Sequence, residues 1–217
     1  KSLTDSLLEI AFLVVPISVL FIVLRVQIVR LAFGAPTLPW PATIITGQTL
    51  AILAISAVFS AGIQLLIRSF YALHDTKTPL YTGLISAIIN IAISLIFGLY
   101  YHLGIVGIAL GWSVVAVFEC LILLLLLFRR LQISILILIP SLSKILITGF
   151  STAVSLWLPM RLLDLYVFDT TRAIPLLILT GISGTIGFLV YLAMSYLFHV
   201  DEFFTFLNLF RRLRPRL

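Results

Sequence analysis

Glu119 is the residue whose type is hardest to place without a task, because it interrupts a run of apolar side chains from Val114 to Phe118 and from Cys120 to Leu127. An ionisable group inside a membrane span is a functional-site hypothesis by default, provided it has a partner. Three readings stay open: a protonated acid, a pair with Arg68, or a carboxylate that reaches the interface beside Arg129 and Arg130. Asn90 and Gln64 are amides in apolar surroundings, suited to hydrogen bonds across helices or to a polar transport site. Arg25 and Arg30 could hold a pyrophosphate in bidentate fashion or snorkel to the interface. His74, His102 and His199 lie in separate boundary regions without metal-ligand spacing, and the single Cys120 gives no disulfide. There is no glycine-rich loop followed by Lys and Ser or Thr to cradle a nucleotide. These residues specify no enzyme, no metal and no cofactor.

The elements that must position them belong in lipid. Of the 217 residues 62% are hydrophobic and only 10% charged, and the mean hydropathy is +1.25. A water-soluble fold of this composition would expose far too much apolar surface. A spanning helix needs about 20 apolar residues, and Thr78 to Phe118 contains no Asp, Glu, Lys or Arg, enough for two crossings. The net charge of +6 comes from scattered Lys and Arg with one cluster at the carboxyl end, which fits membrane topology rather than nucleic acid. Membrane lipids are therefore the expected partners. The chain starts at Lys1 without a signal-peptide pattern and reads as a piece of a longer protein.

The expected fold class is all-α, a polytopic bundle of six transmembrane helices with a short amphipathic tail. The first helix is expected from Leu7 to Phe33 with a kink at Pro16, and Gly34 to Pro41 breaks it. The second runs from Thr46 to Tyr71, the third from Pro79 to Tyr101, and the fourth from Gly104 to Phe128. Leu131 to Pro140 is too short to cross and reads as an interfacial segment or an extension of the fourth helix. The fifth and sixth span Leu142 to Leu163 and Ile174 to Phe198, with Arg161, Asp164, Asp169 and Arg172 between them. In the tail, Asp201 can cap a short helix whose Phe203, Phe204, Leu207 and Phe210 recur at helical spacing. Arg211, Arg212, Arg214 and Arg216 follow, so the expectation is a helix lying on an anionic leaflet, apolar face down.

Two patterns carry more information. Gly181, Gly184 and Gly187 in the sixth helix, like Gly104, Gly107 and Gly111 in the fourth, allow close helix packing, permit bending during a transport cycle, or leave a groove for a lipid chain. The second is the polar hinge from Arg68 to Pro79, where Thr78 reads as an N-cap with Pro79 at the first helical position. Asp75 can bond the turn backbone. The hinge, the Arg129-Arg130 turn and the basic tail fall on one side if six helices alternate, which makes that side and both chain ends cytoplasmic.

Phe70-Tyr-Ala-Leu-His-Asp-Thr-Lys-Thr-Pro79 resembles the Phe-Tyr-Ala-x-x-Asp-Thr-x-Thr-Pro signature of the MurJ (MviN) family, the lipid II flippases of the bacterial inner membrane. Ile28 to Gly34, Thr49 to Leu66 and Gly104 to Leu110 resemble its ninth, tenth and twelfth helices. The resemblance implies that residues 1–130 are four helices of a carboxyl-terminal lobe, 131–199 an added helix pair bordering a lipid-tail groove, and 200–217 the basic tail. It implies that Arg68, Phe70, Tyr71, Asp75, Thr78 and Pro79 form a structural hinge. It also implies that lipid II is the substrate of the full-length protein, moved by alternating access of two lobes. The amino-terminal lobe and the arginines tied to headgroup binding lie outside this chain, so the fragment alone is expected to be inactive. The family has Asn near the position of Glu119. A polysaccharide or drug exporter of the same superfamily, and a scaffold that recruits cell-wall enzymes, are the alternatives.

Overall fold

The computed structural model describes residues 2–34, 38–166 and 173–206. With no water to satisfy backbone polar groups in lipid, a chain this apolar must bond its backbone within each segment, and the described residues are accordingly helical. Helix α1 spans Ser2–Val23, α2 Arg25–Phe33, α3 Trp40–Ala72, α4 Lys77–Leu95, α5 Gly104–Leu131, α6 Leu138–Tyr166 and α7 Ala173–Leu197. A π-helical turn, Ile96–Tyr100, extends α4, a 3-10 turn, Ile135–Ile137, leads into α6, and residues 201–206 form one further helical stretch. Among the described residues six helices are long and apolar enough to cross a membrane.

Several boundaries differ from those expected. The first helix does not run on to Phe33: it passes through Pro16 and breaks at Leu24, whose φ of −92° and ψ of 18° leave the helical region. Beyond Leu24 the sequence turns polar, with Arg25, Gln27 and Arg30, and α2 leaves the apolar span to pack across α3 and reach α7. Trp40 opens α3 directly after Pro39, six residues before the expected Thr46. At 33 residues it is about 50 Å long at 1.5 Å per residue, well over the hydrocarbon thickness, so it tilts or projects. The segment after Arg130 is neither a surface helix nor a long extension. Gln132 adopts the left-handed conformation at the end of α5, and Pro140 sits inside the first turn of α6, where a missing N–H costs nothing.

Packing arranges the helices in a row, with α5 between α4 and α3, and α1 linking α3 to α6, which packs on α7. One buried cluster joins Leu8, Phe12, Phe128, Leu138, Tyr191 and Val200, so the start of α1, the end of α5, the start of α6 and the chain after α7 meet at one end. A second gathers Leu66, Phe70, Ala116, Leu123 and Leu127 between α3 and α5. Two of the three glycines of α5 are packing surfaces: a Cβ on Gly107 would lie 2.7 Å from the Phe97 carbonyl, and one on Gly111 2.5 Å from Ser94 Oγ, whereas Gly104, at a φ of 56°, meets nothing within 4 Å. Hydrogen bonds also tie helices together, from the Ser113 hydroxyl to the Ile52 carbonyl at 2.9 Å and from the Tyr191 hydroxyl to the Phe12 carbonyl at 2.7 Å.

Over the described part of the tail, residues 201–206 are helical and pack on the bundle. Phe203 and Phe206 join the cluster around α1, and Phe206 stacks on Phe12 with ring centroids 5.9 Å apart. Leu207, Phe210 and the four arginines beyond lie outside the described residues, as do the side chains of Asp164, Asp169 and Arg172.

Candidate functional site

Three features could carry function: the hinge between α3 and α4, a cleft around Glu119, and a groove between α1 and α7. The hinge is set by Asp75. The end of α3 is held by Phe70, which is buried, and whose carbonyl accepts from the amides of Leu73 and Asp75, each at 3.0 Å. His74 then takes a positive φ of 57°, which reverses the chain. Asp75 Oδ1 accepts from the Thr78 amide at 3.1 Å and Oδ2 from the Thr78 hydroxyl at 2.8 Å. Thr78 is therefore not the N-cap. The helix begins two residues before Pro79, at Lys77, and Asp75 serves the orphan donor at its start. Pro79, in the third helical position, still falls among residues whose N–H has no partner within the helix. Arg130 at the end of α5 pairs with Asp75 Oδ2, so the hinge is latched to the next helix end. The Thr78 amide, then its hydroxyl, and then Arg130 hold the Asp75 carboxyl below its ordinary range against the opposing effect of burial. Arg68 and Tyr71 are exposed.

Glu119 lines a cleft of about 300 Å³ between α3, α4 and α5, with Gln64, Gly83, Asn90 and Trp112. The expected partner is not there: Arg68 does not line the cleft, and among the described residues the ion pair is Asp75 with Arg130. Asn90 does not bridge helices either. Its Oδ1 accepts from Ser94 at 3.0 Å, one turn on in the same helix. The structure thus brings Glu119, Gln64 and Asn90 together in one place but leaves Arg25 and Arg30 elsewhere. Arg25 packs against α3 near Gly47, where a Cβ would lie 3.6 Å from its Cγ. Arg30 lies over the Trp40 ring at 5.7 Å, an arrangement for an interfacial cation on an aromatic face.

The groove has about 470 Å³ and apolar walls that include Phe12, Leu20, Gly184, Phe188 and Phe206. The three glycines of α7 divide. A Cβ on Gly187 would come within 2.4 Å of Leu156, so it is a packing contact; Gly184 borders the groove, where a Cβ would lie 3.9 Å from Leu20 Cδ1; Gly181 meets nothing within 4 Å. Phe203 and Phe206 close part of the groove from the tail side. Sequence reasoning missed their role and that of Arg130, and the only available signal for the latter was a basic residue at the last turn of a helix ending beside an acidic hinge.

A family model described as lipid II flippase MurJ matches residues 1–179. The lipid II flippase MurJ of Thermosipho africanus is 31% identical over 122 residues, covering 56% of this chain and 25% of that protein. A relative from Thermotoga maritima is likewise 31% identical over 114 residues, covering 52% of this chain and 24% of its own length. A solved structure of lipid II flippase MurJ in an inward closed conformation matches with a TM-score of 0.73 at 27% identity. That match covers 92% of this chain and 39% of the solved one, so the chain spans well under half the length of the structure it resembles.

Proposed function

From its place in the MurJ family of lipid II flippases, to which this chain belongs, we propose that it forms the carboxyl-terminal part of a flippase for the undecaprenyl-pyrophosphate-linked peptidoglycan precursor. It is a multi-pass membrane protein with six spanning helices. In the complete protein its helices are one side of an alternating-access pair, the other lobe being supplied by sequence outside this chain. Midplane sites between such halves are a common transporter design. The protein works as a transporter in the bacterial inner membrane and performs no covalent chemistry.

The observation that carries this reading is the groove between α1 and α7. Thr152 and Tyr191 bring hydroxyls to a wall that is otherwise apolar, and both are engaged: Thr152 bonds the Thr148 carbonyl at 2.8 Å and Tyr191 the Phe12 carbonyl. A surface with its polar groups already satisfied suits a polyprenyl chain, which offers no hydrogen bonds in return. The test is lipid II translocation by vesicles containing the full-length protein. Gly184→Phe fills the groove and is expected to slow translocation strongly, whereas Gly181→Phe, in open space, leaves it near the unsubstituted rate. Equal rates for both variants would overturn the groove assignment. Vesicles holding only these 217 residues are expected not to translocate lipid II.

A further inference from the structure

We propose that the cleft around Glu119 is a binding site for a primary organic ammonium group carried on an apolar body. Glu119 supplies the only charge among the lining residues. The one charged residue of α3, Arg68, lies outside the lining, and α4 contributes no charged residue to it. Cys120 is next to Glu119 but faces α3, where its Sγ would lie 3.3 Å from a Cβ on Gly62. Glu119 therefore has no basic side chain beside it among the residues that line the cleft.

Size and wall chemistry decide which cation. A bare metal ion is caged by several oxygens at roughly 2.0–2.6 Å, whereas this cleft holds about 300 Å³, the space of about ten water molecules at ~30 Å³ each. Its polar groups come from three helices and surround a space suited to several heavy atoms. Among the described residues no group of three or more His, Cys, Asp and Glu could hold a metal. The Trp112 ring, on the same wall, adds attraction for an ammonium through its π face, and the amides of Gln64 and Asn90 can accept from the remaining N–H donors.

A second cavity of about 560 Å³ lies along α4 and α5 beside the first. The two share Asn90 and Trp112, and the second is lined by apolar residues including Ile91, Leu95, Leu99 and Ile108. A polar pocket that shares two wall residues with an apolar one suits an amphiphile with its ammonium at Glu119 and its hydrocarbon along α4 and α5. The same chemistry is found in an amine-headed phospholipid and in a free alkylamine.

Photolabelling of the full-length protein in phosphatidylglycerol vesicles tests the site without requiring any lipid movement, so its outcome is separate from that of the flippase reading. The probe is an octylammonium carrying a photoactivatable group, compared with the corresponding alcohol. Mass spectrometry should find the ammonium probe on peptides of α4 and α5 and the alcohol absent from them. Glu119→Gln should weaken labelling about tenfold, the weight of one charge-assisted hydrogen bond. Gly83→Val keeps the carboxylate but fills the space beside it, since a Cβ there already lies 3.9 Å from Glu119 Oε1, and should weaken labelling too. Competition by added phosphatidylethanolamine would identify a lipid headgroup as the occupant, while undiminished labelling would identify a free amine. Labelling that is equal for the alcohol, or unchanged in both variants, would overturn the site.

Discussion

Asp75 serves three donors at once, the Thr78 amide, the Thr78 hydroxyl and the Arg130 guanidinium. Its carboxyl is held below the ordinary value of 3.8, first by the Thr78 amide. A depressed acid contributes its stabilisation in full above the ordinary value and loses it as the pH falls through the lowered one. Acidification should therefore release the hinge from α5, seen as a lower hydrogen-exchange protection factor for the Thr78 amide, and Asp75→Asn should abolish the pH dependence of that factor. Glu202 has the opposite sign. It is buried with Oε2 unpartnered, and burial raises its carboxyl above the ordinary 4.5, with Asp201 and Asp5 adding to the effect and Lys144 opposing it. Docking of residues 201–206 should hence be strongest below that value and weaken as the pH rises through the raised one. Proteolysis at residues 201–206 should increase with pH, and Glu202→Gln should remove the trend.

At the scale of elements, the glycines separate contact from open space. Gly107→Ala would drive a methyl into the Phe97 backbone, which has no rotamer to yield, and overpacking of this kind costs about 1–3 kcal/mol. Gly181→Ala meets nothing and should be neutral or slightly stabilising, by up to ~1 kcal/mol of helix propensity. Thermal unfolding in detergent compares the two directly. The spacing of these glycines is visible in the sequence, but which of them touches a neighbour is not, because that depends on where the facing helix lies. The same limit explains other departures. Long apolar runs made the six spans legible, and the polar order from Arg68 to Pro79 marked the hinge. Thr78 looked like a cap because Ser and Thr favour that position, yet Asp75 three residues earlier reaches both its amide and its hydroxyl. Leu24 carries no breaking signal of its own; the break comes from the polar segment that follows. Phe203 and Phe204 open the aromatic stripe that the sequence shows, and only the fold reveals that Phe203, with Phe206, packs against the cluster that includes Phe12 of α1.

For the whole molecule, contacts decide which charges share a side. Asp75 pairs with Arg130, and the Lys144 ammonium donates to the His199 carbonyl at 3.2 Å, so the hinge, the end of α5, the start of α6 and the chain after α7 share one end. That end carries Arg68, Lys77, Arg129, Arg130 and Lys144, and the preference of Lys and Arg in short connections for the cytoplasmic side makes this the end expected to face the cytoplasm. The opposite end has Arg30 over Trp40 and the Tyr100–Tyr101 ring pair, aromatic groups that settle at an interface without selecting a side. Cysteine accessibility in the full-length protein separates the two orientations. Single cysteines at His74 and His199, in a background with Cys120→Ser, should react with a membrane-impermeant thiol reagent only after the inner face is exposed, whereas one at Tyr101 should react in intact cells. Reversed labelling would invert the bundle and place the hinge outside. It would leave the Asp75 latch and the helix packing unchanged, since both follow from contacts within the chain, but it would reverse the leaflet from which the groove and the Glu119 cleft are reached.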